Sequence, residues 1–271
     1  MGLPAPAPDT TVLITGASSG IGAALAREFA ARRHGVTLVA RRRERLEELA
    51  AELDRDHGVR ADVLPCDLAN PAARAKLIAE IRAGGRDVVA VCNSAGFGTF
   101  GRFQDLPLAR ELEQVRLNVE ALQELTGAFL GEMIERGAGA ILNLASITAF
   151  QPLPGNATYA ATKAFVLAFS EAVHTDLSGT GVSCTVLCPG PVHTEFGAVA
   201  GTDALMGSSP DFLWQSPAEV ARAGVEAMVR GRRTVIPGIT NRLLSVGGRF
   251  APRSLLLPAA RRLTAGRLPG D

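Results

Sequence analysis

The sequence is short of several residue types, and each shortage narrows the classes of protein to consider. In 271 residues, 28 Lys and Arg face 27 Asp and Glu, so the formal net charge is only +1. A chain this close to neutral lacks the positive field that binding nucleic acid requires, and we expect no nucleic-acid partner. No apolar run reaches the ~18 residues of a membrane-spanning helix. Residues 1–9 lack the basic and apolar stretches of a signal peptide, and their prolines predict a flexible leader.

Cysteine is scarce as well. Only Cys66, Cys92, Cys184 and Cys188 are present, each in an apolar segment and none in a CxxC pair. This pattern predicts buried, reduced thiols rather than disulfides or a metal site. Hydrophobic residues make up 47% and charged residues 20% of the chain, as in ordinary folded proteins. We therefore expect a soluble cytoplasmic protein that holds no metal.

Short β-branched apolar runs alternate with longer helical patterns, which predicts parallel strands joined by crossover helices. The predicted strands are Thr11–Thr15, Val36–Ala40, Ala61–Pro65, Asp87–Cys92, Ala140–Leu144, Val182–Leu187 and Thr234–Ile236. The predicted helices include Ile21–Arg33, Arg43–Asp56, Leu108–Arg136, Thr158–Leu177 and one that begins with a capping box at Ser216–Glu219. The sequence thus predicts a single-domain doubly wound (Rossmann) α/β fold over residues 10–238, with about seven parallel strands and helices on both faces.

A glycine-rich turn, Gly16–Gly22, follows the first predicted strand and opens the first predicted helix. Such a turn exposes backbone N–H groups and the positive end of the helix dipole, which together bind phosphate, and it lets the backbone approach a dinucleotide pyrophosphate. The same residues fit the GxSxG nucleophile elbow of a serine hydrolase, with Ser18 as nucleophile and His174 or His193 as base. That alternative leaves Gly22 without a role and provides no upstream strand to hold an oxyanion loop.

The sharpest chemical clue comes from two rare residue types. Of the 28 Lys and Arg residues only two are lysines, Lys76 and Lys163, and the chain has a single tyrosine, Tyr159. Tyr159 precedes Lys163 by four residues in a predicted helix, so both side chains share one face. Because an ammonium beside a phenol favours the phenolate, we predict that Lys163 lowers the pKa of Tyr159 and prepares it for proton transfer.

These two motifs together resemble the short-chain dehydrogenase/reductase family, in its compact one-domain subgroup. The glycine motif is Thr15-Gly16-x-x-x-Gly20-x-Gly22, and the catalytic pair is Tyr159-x-x-x-Lys163. Other elements agree in order and spacing over about residues 10–240. Asn93-Ser94-Ala95-Gly96 resembles the family's Asn-Asn-Ala-Gly element, with Ser94 in place of the second Asn.

Three further positions match family elements. Asn118 and Ser146 match the catalytic asparagine and serine, and Pro189–Thr194 matches a Pro-Gly-x-Val-x-Thr element at the nicotinamide end. The resemblance implies hydride transfer between a nicotinamide cofactor and a carbonyl or alcohol carbon. Tyr159 would be the general acid/base, Lys163 would assist it and hold the ribose, and Ser146 would hold the substrate oxygen. Asn118 would position a water that links Lys163 to solvent.

The resemblance also implies a set of cofactor contacts, spread over the glycine turn, the ends of the next three strands and the Pro-Gly element. Besides Tyr159 and Lys163, these are Gly16, Ser18, Ser19, Gly20, Ile21, Gly22, Arg41, Arg42, Asp67, Leu68, Asn93, Ala95, Gly96, Pro189, Gly190, Val192 and Thr194.

The charge after the second strand favours NADP(H) over NAD(H). Ala40 occupies the position where NAD-binding relatives carry an acid, and three arginines follow it at 41–43. Guanidinium groups bind a 2′-phosphate bidentately, whereas helix N-termini ordinarily favour acids. Arg41 is the first candidate, Arg42 the second, and Ser18 a helper. Asp67 lies where the family contacts adenine, and capping the next helix is its alternative role.

Aromatic residues follow several predicted strands, where folds of this class bind ligands. Phe97, Phe150, Phe196 and Trp214 are predicted to line the substrate site, and the segment 195–215 is long enough to act as a lid. This composition favours an apolar carbonyl compound of medium or large size. A preference for NADP(H) favours the reductive direction.

Residues 239–271 form a basic C-terminal extension. Nine arginines but only one acid, Asp271, lie between positions 230 and 271, interleaved with leucines. We favour packing against the domain or against an acidic surface of a partner subunit, and contact with an anionic membrane surface is the alternative. Pro252 and Pro258 are predicted to break the extension into short helices.

The sequence therefore predicts an NADP(H)-dependent carbonyl reductase, with a homodimer or homotetramer expected by analogy alone. A non-catalytic NADP(H)-binding regulator remains an alternative, although all four catalytic positions are filled. The GxSxG serine hydrolase is the more distant alternative.

Overall fold

One parallel β-sheet forms the framework of the computed structural model, which describes residues 2–201 and 213–264. The strands are β1 Thr10–Thr15, β2 Val36–Ala40, β3 Ala61–Pro65, β4 Asp87–Asn93, β5 Gly139–Leu144, β6 Val182–Leu187 and β7 Thr234–Val235. They lie in the order β3-β2-β1-β4-β5-β6-β7, and every neighbouring pair is parallel. Each predicted strand is confirmed to within one residue at either end, and so is the doubly wound fold.

Helices follow the strands and cover both faces of the sheet. They are α1 Gly20–Ala31, α2 Arg43–His57, α3 Pro71–Ala83, α4 Leu108–Val115, α5 Leu122–Arg136, α6 Ala157–Asp176, α7 Phe196–Ala200, α8 Pro217–Val229, α9 Ile239–Phe250 and α10 Arg253–Thr264. The predicted capping box at the start of α8 is present, because Ser216 and Glu219 each accept the other's backbone N–H. No described helix is long and apolar enough to cross a membrane.

Alternate residues of the buried strands point to opposite faces of the sheet and pack into two separate apolar clusters. Val12 and Ile14 point to the face covered by α1 and α8, where Phe29 is fully buried. Leu13 points to the opposite face, where Phe129 of α5 is buried. Burial of each large side chain contributes roughly 1.5–3 kcal/mol, which fixes the strand register and with it the edge where the strands end.

The direction of winding reverses between β1 and β4. β1 pairs with β2 on one side and with β4 on the other, so β2 and β3 lie on one side of β1 and β4 to β7 lie on the other. In open parallel sheets this reversal opens a crevice beyond the carboxyl ends of the strands, which is where ligands bind.

The helix predicted over Leu108–Arg136 is not continuous. One turn of π-helix, Arg116–Ala121, separates α4 from α5. A π turn carries one extra residue and redirects the side chains around it. Asn118 lies in this turn and is buried against the backbone of Phe97, which it binds through both atoms of its amide.

The two ends of the chain differ in part from expectation. The sequence predicts a flexible leader, yet Leu3 packs against the core and Thr10 Oγ1 bonds the Ala7 carbonyl. Pro252 separates α9 from α10 as predicted, but Pro258 lies inside α10. Its missing N–H frees only the carbonyl of Ser254, which is exposed and open to water.

All four cysteines are unpaired, and only Cys66 is incompletely buried.

Candidate active site

A cavity of about 500 Å³ lies at the carboxyl ends of the strands, beside the reversal point. Most residues predicted from the sequence meet on its walls. These are Gly16, Ser18, Ser19, Gly20, Ile21, Gly22, Arg41, Arg42, Asp67, Leu68, Ala95, Gly96, Ser146, Tyr159, Lys163, Pro189, Gly190, Val192 and Thr194, together with Phe97 and Phe196. We call the part around the glycine turn and Arg41–Arg42 the phosphate end, and the part around Ser146, Tyr159 and Lys163 the reaction end.

The glycine turn of the phosphate end excludes side chains by close approach. A Cβ at Gly22 would collide with the Gly16 carbonyl, and Gly16 itself has φ +68° and lies against the backbone of Ala95. The helix α1 begins here with no acid in its first turn and no side-chain cap from Ser19. Its first N–H groups and positive dipole end are therefore available to an anion.

Thr15 connects the ends of the two central strands. Its hydroxyl oxygen accepts the N–H groups of Ser94 and Ala95, each at 3.0 Å. These bonds hold the turn after β4 beside the glycine turn after β1. Ser94, which replaces the family's second asparagine, lies on the cavity wall without interrupting this connection.

Arg42 contacts two elements of the phosphate end. Its guanidinium bonds Ser18 Oγ at 3.2–3.3 Å and forms an ion pair with Glu195 at 2.9 Å. Hydrogen bonding and charge from Arg42 lower the pKa of Glu195. Arg41 also lines the cavity and is exposed. Both predicted arginines thus reach the cavity, and Arg42 makes the more extensive contacts.

Asp67 also lies on the cavity wall, but it does not cap the following helix. Its Oδ1 accepts the N–H of Ala69 at 3.1 Å, whereas Asn70 is the N-cap of α3 and accepts from Ala72 and Ala73. The capping alternative for Asp67 is therefore wrong.

The reaction end brings Tyr159, Ser146 and Lys163 together. Tyr159 hydrogen-bonds Ser146, and Lys163 Nζ lies 5.7 Å from the centre of the tyrosine ring. Lys163 is buried and donates to the Leu144 carbonyl at 2.7 Å. Ser146 Oγ accepts the N–H of Thr148 at 3.2 Å, which fixes the serine at the start of a 3₁₀ turn, Ile147–Phe150.

Burial determines the direction of the pKa shift in both Tyr159 and Lys163, and for Tyr159 that direction is opposite to the predicted one. Removal from water raises the pKa of Tyr159 to about 12, partly offset by the hydrogen bond with Ser146. The same cause lowers the pKa of Lys163 to about 8. Burial disfavours the charged form of each group. The net pKa shift of Tyr159 is therefore upward, opposite to the predicted direction, because burial dominates it.

The chain matches a family model described as short chain dehydrogenase over residues 10–204. It belongs to the short-chain dehydrogenase/reductase family. It is 41% identical to sulfoacetaldehyde reductase 2 of Chromohalobacter salexigens over 202 residues, 72% of this chain and 79% of that protein.

Solved structures of short-chain dehydrogenases match almost the whole chain. One from Sphingobium yanoikuyae, in complex with NADPH, is 32% identical, with a TM-score of 0.79 and 97% and 98% of the two chains covered. A 7β-hydroxysteroid dehydrogenase is 26% identical, with a TM-score of 0.82 and 96% and 99% covered. The coverage includes most of the C-terminal extension, which lies beyond the region of the family model.

Two predicted site residues of this short-chain dehydrogenase/reductase lie behind the cavity wall. Asn118 Nδ2 also donates to Thr162 Oγ1, so its amide is occupied by the protein. Asn93 is buried and donates to Asn143 Oδ1 and Thr126 Oγ1. Neither lines the cavity. Asn93 therefore packs the ends of β4 and β5 rather than meeting a cofactor through its side chain.

Of the four aromatic residues predicted to line the substrate site, two line the cavity and two do not. Phe97 and Phe196 line the cavity, and the Phe196 ring lies 5.3 Å from that of Tyr159. Phe150 is buried and Trp214 stacks on His193 at 4.4 Å, and neither lines the cavity. Phe150 packs instead in an apolar cluster with Leu122 and Val166. Three further aromatic or apolar residues of the proposed lid, Leu205, Met206 and Phe212, lie outside the described residues.

Sequence reasoning missed several wall residues of this family member. Glu195 follows the Pro-Gly-x-Val-x-Thr element directly, so its proximity to the cavity was readable from the motif. Glu113 of α4 comes from a helix whose orientation has no local signature, and Leu153 and Asn156 precede α6. The Glu113 carboxylate binds Arg110 at 2.7 Å, and the Arg110 guanidinium lies 3.8 Å from the centre of the Phe97 ring.

Proposed function

We propose that this protein is an NADP(H)-dependent oxidoreductase that reduces a carbonyl group of an apolar small molecule to an alcohol. The observation that carries the proposal is the convergence of Tyr159, Ser146 and Lys163 on one cavity with the glycine turn. A proton donor and a dinucleotide cradle in the same cavity are what carbonyl reduction by a nicotinamide requires.

The residues of the phosphate end fit NADP(H). A side chain at Gly22 or Gly16 would collide with the backbone that shapes the glycine turn, and α1 offers a positive end with no acid in its own first turn. The pyrophosphate would bind at this helix end, and the 2′-phosphate at Arg41 and Arg42. Asp67 would receive the adenine, and Thr194 the nicotinamide carboxamide. When bound, the nicotinamide supplies or accepts the hydride at its C4 atom.

The reaction end supplies the proton. Tyr159 would donate its phenolic proton to the carbonyl oxygen, so that one hydride and one proton complete the two-electron reduction. Ser146 hydrogen-bonds Tyr159 and would hold the same oxygen, stabilising the charge that develops on it. With its pKa above neutral, the Tyr159 phenol is protonated at neutral pH, as a proton donor to a carbonyl oxygen must be.

The wall of the substrate side favours an apolar, uncharged compound. Phe97, Phe196, Leu153 and Val199 contribute apolar surface. Glu113 on this wall is paired with Arg110, whose guanidinium lies against the Phe97 ring, so these two ionic residues neutralise each other beside the aromatic surface. The similarity to a hydroxysteroid dehydrogenase agrees with a bulky apolar substrate, whereas the similarity to a sulfoacetaldehyde reductase names a small anionic one.

The two alternative functions have less support. In the hydrolase alternative, Ser18 needs a histidine, but its hydroxyl bonds Arg42, and the His174 ring bonds the Cys184 carbonyl. A non-catalytic regulator would need only the phosphate end. The conjunction of Tyr159, Ser146 and Lys163 favours turnover over binding alone.

The test is oxidation of NADPH, followed at 340 nm, with a panel of bulky ketones, aldehydes and quinones beside sulfoacetaldehyde. We expect turnover with NADPH, faster for the bulky apolar compounds than for the anionic one. Faster turnover of sulfoacetaldehyde would refute the apolar class while leaving the reaction class intact. NADPH binding without turnover of any compound would favour the regulator, and labelling of Ser18 by a fluorophosphonate would favour the hydrolase.

A further inference from the structure

The helix α9 presents apolar residues to solvent and polar residues to the protein, the reverse of an ordinary surface helix. Four of its five apolar residues, Ile239, Leu243, Val246 and Phe250, are 78%, 68%, 55% and 76% exposed. At about 100° per residue these four fall within roughly 60° of arc, and the fifth, Leu244, is exposed outside it. The buried residues of the same helix are Asn241, Ser245 and Gly248, on the opposite side. We call the four apolar residues the outer face of α9.

The inward face is held by specific contacts, so the orientation of α9 is fixed. Asn241 Nδ2 donates to the Pro237 carbonyl at 3.2 Å and to Gln215 Oε1 at 3.3 Å. Gly248 lies against the side chain of Gln151, while the buried Ser245 donates to the Asn241 carbonyl within α9 itself. A rotation that buried the outer face would break this packing. Apolar exposure on this scale marks an interaction surface.

Positive charge lies along one flank of the outer face and beyond the C-terminal end of α9. Arg242 and Arg249 are exposed on one flank of α9, and Arg253 begins α10, where Leu255 is 69% exposed. The sequence from 230 to 264 contains no acid. The charge of residues 230–271 is +8, so the remainder of the chain carries −7.

An apolar face flanked by arginines favours some binding partners over others. Two copies that met outer face to outer face would bring their two sets of arginines together, and like charges facing each other are unfavourable. An anionic bilayer offers a hydrocarbon layer for the apolar side chains and phosphate groups for the arginines. It would also repel the acidic remainder of the protein, which leaves one orientation.

We propose that α9 and α10 form a docking surface for anionic lipid bilayers, with the outer face of α9 inserted among the acyl chains and the arginines at the headgroups. The docked protein lies on the membrane and does not span it. Because α9 packs against the 3₁₀ turn that follows Ser146, docking would bring the cavity close to the bilayer. That last consequence rests on the proposed function, whereas lipid binding does not.

Co-sedimentation of the full chain with vesicles tests the proposal. One vesicle contains phosphatidylcholine alone, and the other contains one part phosphatidylglycerol to two parts phosphatidylcholine. We expect pelleting with the anionic vesicle that weakens as salt is raised, since surface charge is screened. Arg249→Gln with Arg253→Gln should lower the partition coefficient between vesicle and water by about 30-fold. The two arginines should share this loss about equally, because each basic residue near an anionic membrane surface contributes a similar binding free energy. Leu243→Glu with Val246→Glu should abolish pelleting.

Matched controls separate this surface from a general effect of charge or polarity. Ile134→Glu replaces an exposed apolar residue on α5, and Arg55→Gln with Lys76→Gln removes two exposed cations from α2 and α3. These controls should pellet like the unchanged protein, and NADPH binding should persist in all variants as a check on folding. Equal pelleting of the Leu243→Glu, Val246→Glu variant would overturn the proposal. So would absence of vesicle binding accompanied by self-association that this variant abolishes, because the outer face would then join copies of the chain.

Discussion

The phosphate end and the reaction end of the cavity are built from different kinds of contact. At the phosphate end, the Arg42 and Glu195 side chains are 43% and 49% exposed, and their ion pair is in contact with solvent. At the reaction end, Lys163 is only 5% exposed and bonds a backbone carbonyl. Water screens charge at an exposed site, whereas burial magnifies it. We therefore expect the first end to set cofactor affinity by moderate increments and the second to set the reaction rate by large ones.

Loss of the Tyr159 hydroxyl should produce the largest effect. Tyr159→Phe should lower kcat for carbonyl reduction by about 10³-fold, because a positioned proton donor contributes on this scale. The Kd of NADPH, measured by its fluorescence, should change by less than about threefold, since the ring remains in place. A comparable loss in affinity and kcat would show that the two ends are not separable.

Loss of the Lys163 charge should have the second-largest effect. The protonation state of Lys163 can be measured directly because the chain has only two lysines. Burial lowers its pKa to about 8, so the ammonium is present below that pH and lost as pH rises through it. The reductive kcat/KM should fall over the same range. In ¹³C-lysine NMR, Lys76→Gln leaves one signal, which should titrate near 8. A midpoint near the ordinary ~10.4 would mean that burial does not govern this group.

Removal of the phosphate-end arginines should act on affinity alone. Arg42→Gln should raise the Kd of NADPH by about 10-fold, and the double change with Arg41→Gln by about 100-fold, since each charged hydrogen bond contributes roughly 1.5–3 kcal/mol. The Kd of NADH should stay nearly constant. Arg43→Gln is the matched control, because Arg43 pairs with Glu47 and does not line the cavity. An equal rise for NADH would contradict a role in binding the 2′-phosphate.

The smallest effect should come from Glu195, and its sign is opposite. Glu195→Gln frees Arg42 from an exposed ion pair, so NADPH should bind about two- to fivefold more tightly, in keeping with the strength of such pairs. Isothermal titration at low and high salt would measure the difference. It should shrink at high salt, and a gain that persists there would point to a steric rather than an electrostatic cause.

The features predicted from sequence are those encoded locally. Strand bounds followed from runs of apolar residues, and the cradle from glycines whose close approach is independent of distant residues. The spacing of Tyr159 and Lys163 placed both on one helix face. None of these depends on how far apart in the chain the packed segments lie.

The features that sequence reasoning missed depend on tertiary packing. The Arg42 and Glu195 ion pair joins residues that are distant in the chain. The pKa of Tyr159 was predicted in the wrong direction, because the pattern revealed a neighbouring charge but not the burial that outweighs it. Phe150 and Trp214 were placed at the right ends of strands, yet only packing decides whether a side chain faces the cavity or the domain.

The stacking of the single tryptophan on His193 gives the molecule a spectroscopic reporter. Trp214 precedes Gln215, which forms a parallel bridge with Val192 on the cavity wall. His193 N–H donates to the Gln215 carbonyl, and Gln215 N–H donates to the Pro191 carbonyl. A movement of Trp214 relative to His193 on cofactor binding would alter the indole–imidazole stack. Intrinsic emission from one fluorophore, in unlabelled protein, will therefore register the state of the loop in real time.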